Sequence, residues 1–207
     1  MIRTTIQPLG PIGANACLIE SDGLQVLIDP GGMPGEWSSP LPKIDLLICT
    51  HGHFDHIWGV DAFRELTGAP VLIHPADAEA LTDPSVNASN LFGRPKRLKP
   101  ADRLIIDGER ITLDDRHWLE VLATPGHTQG GICLLLFSDG QPEALFSGDT
   151  LFAGSIGRLD IGGNPVAMKK SLNRLMMLPD HVQVHPGHGP STTIGAERRG
   201  NPYLRSI

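Results

Sequence analysis

The chain is poor in cysteine, in aromatic residues and in excess positive charge, and each shortage narrows what it can be. Its 207 residues include three cysteines, one tyrosine and three tryptophans. Cys17, Cys49 and Cys133 are widely spaced, and two of them lie inside apolar runs. That pattern suits buried reduced thiols rather than a disulfide framework, and so a reducing compartment. Lysine and arginine total 17 against 23 aspartates and glutamates, a net charge of −6. Without a basic surface to neutralise phosphates, nucleic acid is not expected as a partner, and a small-molecule substrate is. Met1 to Ile6 lacks the apolar core of a signal peptide, and no run approaches the ~20 apolar residues that a membrane helix needs. No stretch reads as a linker, so the expectation is one domain spanning 1–207, cytoplasmic and not membrane-bound.

What is present is concentrated in Thr50-His51-Gly52-His53-Phe54-Asp55-His56, directly after an apolar run, Ile44 to Cys49, that reads as a buried strand. Three imidazoles and a carboxylate within six residues make a metal site, because these are donors that zinc, iron and manganese accept. In a loop leaving a strand, His51 and His53 can reach one side while Asp55 and His56 turn toward a neighbouring point. Two metals could be served.

Around this stretch, Asn15 to Glu20 and Gln25 to Asp29 read as a hairpin turning at Ser21-Asp22-Gly23. Pro30 to Gly35 reads as loop. Asp55 is placed to cap a helix carrying Val60, Phe63 and Leu66 on one face and ending at Gly68. Val71 to His74 reads as a strand, with His74 structural, and Pro75 to Leu81 as a short helix. The polar segment from Thr82 to Pro100, with Arg94, Lys96, Arg97 and Lys99, reads either as a substrate-side loop or as a solvated connection. In the second half, strands Trp118 to Ala123, Ala144 to Phe146 and Val182 to His185 each run into a small turn. In each turn a glycine, Gly126, Gly148 or Gly187, immediately precedes one ligand-type residue: His127, Asp149 or His188. His117, His181 and His185 lie in or beside the strands and are left to the framework.

THGHFDH, PGHT, SGDT and PGHG resemble the sequential signatures of the metallo-β-lactamase fold superfamily and cover residues 50 to 189. Within it, GDTLFAGSIGRLD at 148 to 160 and GHGPSTTIGAERRGNPYL at 187 to 204 resemble the glyoxalase II group, in its small single-domain form. The resemblance implies an α/β fold, a four-layer αββα sandwich of two mixed β-sheets faced by helices. It implies His51, His53 and His127 on one metal, Asp55, His56 and His188 on a second, and Asp149 bridging both, with Asp55 and Asp149 catalytic. Two divalent ions are the cofactors implied, zinc first, with iron or manganese also compatible. The chain ends about where the glutathione-binding helical domain of full-length glyoxalase II would begin. Arg158 matches a glutathione-binding lysine of the larger members, whereas Asp160 stands where they have tyrosine. Arg158 is accordingly expected to bind substrate, the alternative being an ion pair with Asp160 that fixes its loop.

The activity implied is thioester hydrolysis of the hydroxyacylglutathione (S-lactoylglutathione) type, by attack of metal-activated water oriented by Asp55 on the carbonyl carbon. A thiol of pKa about 8.5 leaves readily as thiolate, so no further general acid is required. Gly157-Arg158-Leu159-Asp160 also resembles the mono-iron persulfide (sulfur) dioxygenases, and lactones or other esters would suit the same hydrolytic apparatus.

Overall fold

The computed structural model describes residues 2–38 and 40–205. The chain divides into two compact units, Met1–Ile105 and Ile106–Ile207, each built on one six-stranded mixed sheet.

In the first unit the sheet runs in chain order: β1 (Arg3–Leu9), β2 (Ala14–Glu20), β3 (Gln25–Ile28), β4 (Leu46–Ile48), β5 (Val71–Ile73) and β6 (Arg103–Leu104). The expected hairpin is present, with β2 and β3 antiparallel and Cys17 opposite Ile28. From β3 onward the pairing is parallel, Ile28 opposite Ile48 and Ile48 opposite Leu72. Parallel strands are covered on both faces, which is why Leu46 to Ile48 reads as an unbroken apolar run and Leu47, Ile48 and Cys49 are all fully buried. The core joins Leu27, Leu47 and Ile73 of the sheet to Ile57, Val60 and Phe63. β1 was not read from the sequence: it is a half-buried edge strand whose polar residues break the alternation.

The helix after the ligand stretch begins earlier than expected. It comes in two pieces, α1 (Phe54–Ile57) and α2 (Val60–Thr67), and His53, not Asp55, occupies the cap position. Asp55 lies inside the first turn, where a carboxylate favours the helix dipole. Gly68 ends α2 in the left-handed conformation, as its position suggested. Residues Pro75–Leu81 form a 3-10 helix capped by His74, whose Nδ1 accepts the Ala76 amide at 3.2 Å, so His74 is structural.

The second unit contains β7 (Arg110–Thr112), β8 (His117–Ala123), β9 (Ile132–Ser138), β10 (Gln141–Gly148), β11 (Gln183–Pro186) and β12 (Thr192–Thr193). They are ordered 12-11-10-9-8-7, with β10 and β11 parallel and the other pairs antiparallel. Helices α3 (Pro165–Leu175) and α4 (Ile194–Gly200) complete it. Met168, Leu172 and Leu175 of α3 pack with Leu122, Cys133, Leu145 and Val184. The register of β10 against β11 shifts between Phe146 and Gly148, a bulge just ahead of Asp149.

All three cysteines are free and buried, and burial pushes the Cys133 thiol up to about 11, the Cys17 thiol higher still and the Cys49 thiol well above its ordinary value. They stay as unreactive thiols at neutral pH.

Candidate metal centre

In the first unit the ligand stretch leaves the carboxyl end of β4, where parallel sheets carry their sites. His51, His53, Asp55 and His56 are all buried. The His51 ring lies 5.0 Å from that of His53 and 4.2 Å from that of His56, and His56 Nε2 is 3.5 Å from Asp55 Oδ2.

Behind them stands a residue the sequence reading left as a strand end. Asp29, 2 % exposed, follows β3 with φ +50, a left-handed conformation that aspartate tolerates better than most. Its Oδ1 accepts the Thr50 amide at 2.7 Å and its Oδ2 the Thr50 hydroxyl at 2.6 Å. The same Oδ2 lies 3.0 Å from His56 Nδ1. This carboxylate already serves as acceptor to both Thr50 donors, so His56 meets it with a protonated Nδ1 and presents Nε2 as the donor lone pair. Thr50 has committed its hydroxyl proton to Asp29, so toward His51 Nδ1, 3.1 Å away, Oγ1 can only accept. His51 is thereby set in the same tautomer. The ligand-type atoms of Asp29, His51 and His56 lie within 4.8 Å of one another. Asp77, also buried, holds the loop itself by accepting the Gly52 amide at 2.9 Å.

In the second unit His127 Nε2 is 3.4 Å and His188 Nε2 4.0 Å from Asp149 Oδ2. The three side chains thus gather at one sheet edge, His127 and Asp149 nearly buried and His188 about a quarter exposed. Gly126 and Gly148 have the positive φ that sharp turns require, +154 and +47. In the last turn the left-handed residue is Gly189, one after His188, not Gly187. His127 Nδ1 lies 2.7 Å from the Arg158 carbonyl, which can only accept, so this imidazole too presents Nε2. The chain can pass so close because residue 157 is glycine: a Cβ there would sit 1.9 Å from the Asp149 carbonyl oxygen and 3.0 Å from His127 Nδ1.

Arg158 contributes its backbone to His127, while its exposed guanidinium makes two bonds to Asp160, Nε to Oδ1 at 2.7 Å and Nη2 to Oδ2 at 2.6 Å. The guanidinium holds the Asp160 carboxyl down to about 2. The histidines assigned to the framework all have such places. His117 Nδ1 pairs with Asp114 at 2.7 Å, His181 Nε2 lies 3.1 Å from the Pro142 carbonyl, and His185 Nδ1 lies 2.9 Å from Ser191 Oγ.

The Metallo-beta-lactamase superfamily matches residues 9–191, a span that includes every residue described above as ligand-type. The chain belongs to this superfamily. It is 38% identical over 207 residues to the probable metallo-hydrolase YqgX of Bacillus subtilis, covering 97% of this chain and 96% of that one. It is 31% identical over 210 residues to the hydroxyacylglutathione hydrolase GloC of Haemophilus influenzae, covering 97% of each. Among solved structures, the BLEG-1 B3 metallo-beta-lactamase matches with a TM-score of 0.86 at 36% identity, over 99% of this chain and 100% of that one. TTHA1623, solved in a di-iron-bound form, matches with 0.79 at 37%, over 97% and 100%. The α/β fold expected from the motifs, two mixed β-sheets flanked by helices, is the superfamily's, and the chain is a metallo-hydrolase of that superfamily. Among the described residues no helix is long and apolar enough to cross a membrane.

Proposed function

We propose that residues 1–207 form one domain whose two units supply a single dinuclear centre, and that this centre hydrolyses thioesters of the hydroxyacylglutathione type. His51, His53 and His127 would hold one divalent ion and Asp55, His56 and His188 the other, with Asp149 serving both. The observation that carries this reading is the oxygen that stands within 3.1 Å of Nδ1 in each of His51, His56 and His127. In both units Nδ1 is committed to an oxygen acceptor and Nε2 is the donor atom, the arrangement in which outer-shell partners orient metal-binding imidazoles. The donor set of five imidazoles and two carboxylates fits zinc and iron alike, and the likeness to a di-iron protein keeps iron beside zinc as the native metal.

Divalent ions held by this set would supply Lewis acidity toward a carbonyl oxygen and would lower the pKa of water from about 15.7 to about 7. The chain's own residues do the rest. Asp55 would orient the attacking water by accepting a hydrogen bond from it, and the buried walls around His51 and His56 exclude bulk solvent from the reacting carbonyl. Arg158 offers the carrier's carboxylate its guanidinium, held in place by Asp160. A thiolate needs little help to leave, and the likeness to GloC supports a glutathione thioester as the substrate.

Metal analysis of the purified protein combined with a thioester panel headed by S-lactoylglutathione tests the proposal. Two ions per chain and stoichiometric thiol release are expected. One iron per chain with oxygen consumed on glutathione persulfide would instead establish the dioxygenase chemistry. On the same panel Arg158→Ala should raise KM for the glutathione thioester about ten- to hundredfold and leave kcat nearly unchanged. Equal loss on a small thioester without the peptide would assign the Arg158 side chain to its loop alone.

A further inference from the structure

Residues 83–97 form a loop that is stapled from inside. Asn87, fully buried, donates from Nδ2 to the Ala80 and Lys96 carbonyls at 2.7 and 3.0 Å and accepts the Ser89 amide on Oδ1 at 3.0 Å. Ser89 Oγ, equally buried, accepts the Lys96 amide at 2.9 Å. These bonds hold Ala88 at φ +66, a left-handed conformation that is unfavourable for a non-glycine residue. The loop is also tied to the ligand stretch, since Phe54, between His53 and Asp55, donates its amide to the Asn87 carbonyl at 3.0 Å.

What so much internal bonding displays is apolar. Leu91 and Phe92 are 72% and 49% exposed. The Phe92 ring packs on Phe54 with centroids 4.6 Å apart, and Phe54 meets the half-buried Trp58 edge-on at 6.3 Å. Of the cations in and just after this loop, Lys96 meets this face. Arg97 is engaged by the Thr82 carbonyl and Lys99 by Glu65. Lys96 Nζ lies 4.9 Å from the Trp58 ring centre, and among the described residues neither it nor Arg94 is paired with a carboxylate.

We propose that Leu91, Phe92 and Trp58 form the acyl-selecting face of the enzyme, and that among thioesters with an anionic carrier it prefers those whose acyl group extends into an apolar chain. The inference rests on the thioester reading above and adds the substrate class. A rigid loop bonded to the ligand stretch holds its apolar side chains at a constant distance from the reacting carbonyl, which a specificity surface requires. Two exposed side chains and one ring edge match a small acyl chain, whereas a stable protein partner would need about 800 Å² on each side. Lys96 complements a carboxylate-bearing carrier.

Calorimetric binding of two uncleavable thioethers, S-hexylglutathione and S-methylglutathione, to the metal-loaded protein tests this apart from turnover. S-hexylglutathione should bind at least about tenfold more tightly, as expected for burial of two or more methylenes. Leu91→Ser should remove most of that preference while leaving S-methylglutathione unchanged. Phe92→Leu, which keeps an apolar group against Phe54, should remove less, and Lys96→Gln should weaken both thioethers alike. The proposal is overturned if neither thioether binds, if the wild type does not distinguish them, or if Leu91→Ser retains the hexyl preference. It is equally overturned if Leu91→Ser turns a dimer into a monomer, which would make this face a contact with a second copy. A hexyl preference without hydrolysis of any thioester would defeat the hydrolase reading and leave the binding face standing.

Discussion

Asp29 receives three hydrogen bonds on two oxygens, and each one constrains the ligand stretch: the Thr50 amide sets where the loop begins, the Thr50 hydroxyl sets His51, and His56 is set directly. Asparagine can adopt the same left-handed backbone, but one of its two side-chain atoms is a donor and must face a donor. Asp29→Asn should therefore weaken metal binding about 10- to 100-fold, with kcat recovering as metal is added in excess. Competition against a chelator measures it. Unchanged affinity would mean that the imidazoles are oriented by something else. Arg158 teaches the complementary lesson at this scale. Its position in the chain predicts a substrate contact, yet its backbone carbonyl is what holds His127. No pattern of side-chain types could have announced a role played by a main-chain oxygen.

Among the elements, strand ends position ligands and loops refine them. The bulge ahead of Asp149 and the parallel step from β3 to β4 are both register effects, invisible in either strand alone. The loop at 83–97 was legible as polar and rich in turn residues, but its rigidity comes from Asn87, whose partners lie seven and nine residues away. Replacing that buried amide by Ala leaves two carbonyls and one amide without their partner. Asn87→Ala should cost about 2 to 4 kcal/mol of unfolding free energy in denaturant melts. It should also narrow the discrimination between hexyl and methyl thioethers, since Leu91 and Phe92 would no longer be held. Full stability and full discrimination in this variant would show that the loop is rigid for another reason.

For the whole molecule the proposed centre predicts a link between metal and stability, because ions that bind only the folded chain stabilise it by mass action. At ion concentrations of about 100 to 1,000 times the dissociation constant this is roughly 2.7 to 4.1 kcal/mol. Chelation should thus lower Tm by about 5 to 15 °C in a chain of this size. Calorimetry of the metal-loaded protein should show one cooperative transition if the two units share the centre as one domain. Two separate transitions, with only one moved by chelation, would assign the metal to a single unit. The sequence alone determined the ligand-type motifs, the glycine turns that carry His127 and Asp149, the buried run before His51 and, through the resemblance, the superfamily. These are local or periodic features, and a chain writes them in consecutive residues. Tertiary structure decided that Asp29 stands behind Thr50, 21 residues away in the chain, that His53 takes the position ahead of the helix, that Asp160 takes the Arg158 guanidinium, and that Phe92 rests on Phe54. The first and last of these bring together residues that the chain holds far apart, and all depend on the strand register and backbone geometry that burial of the surrounding apolar residues selects.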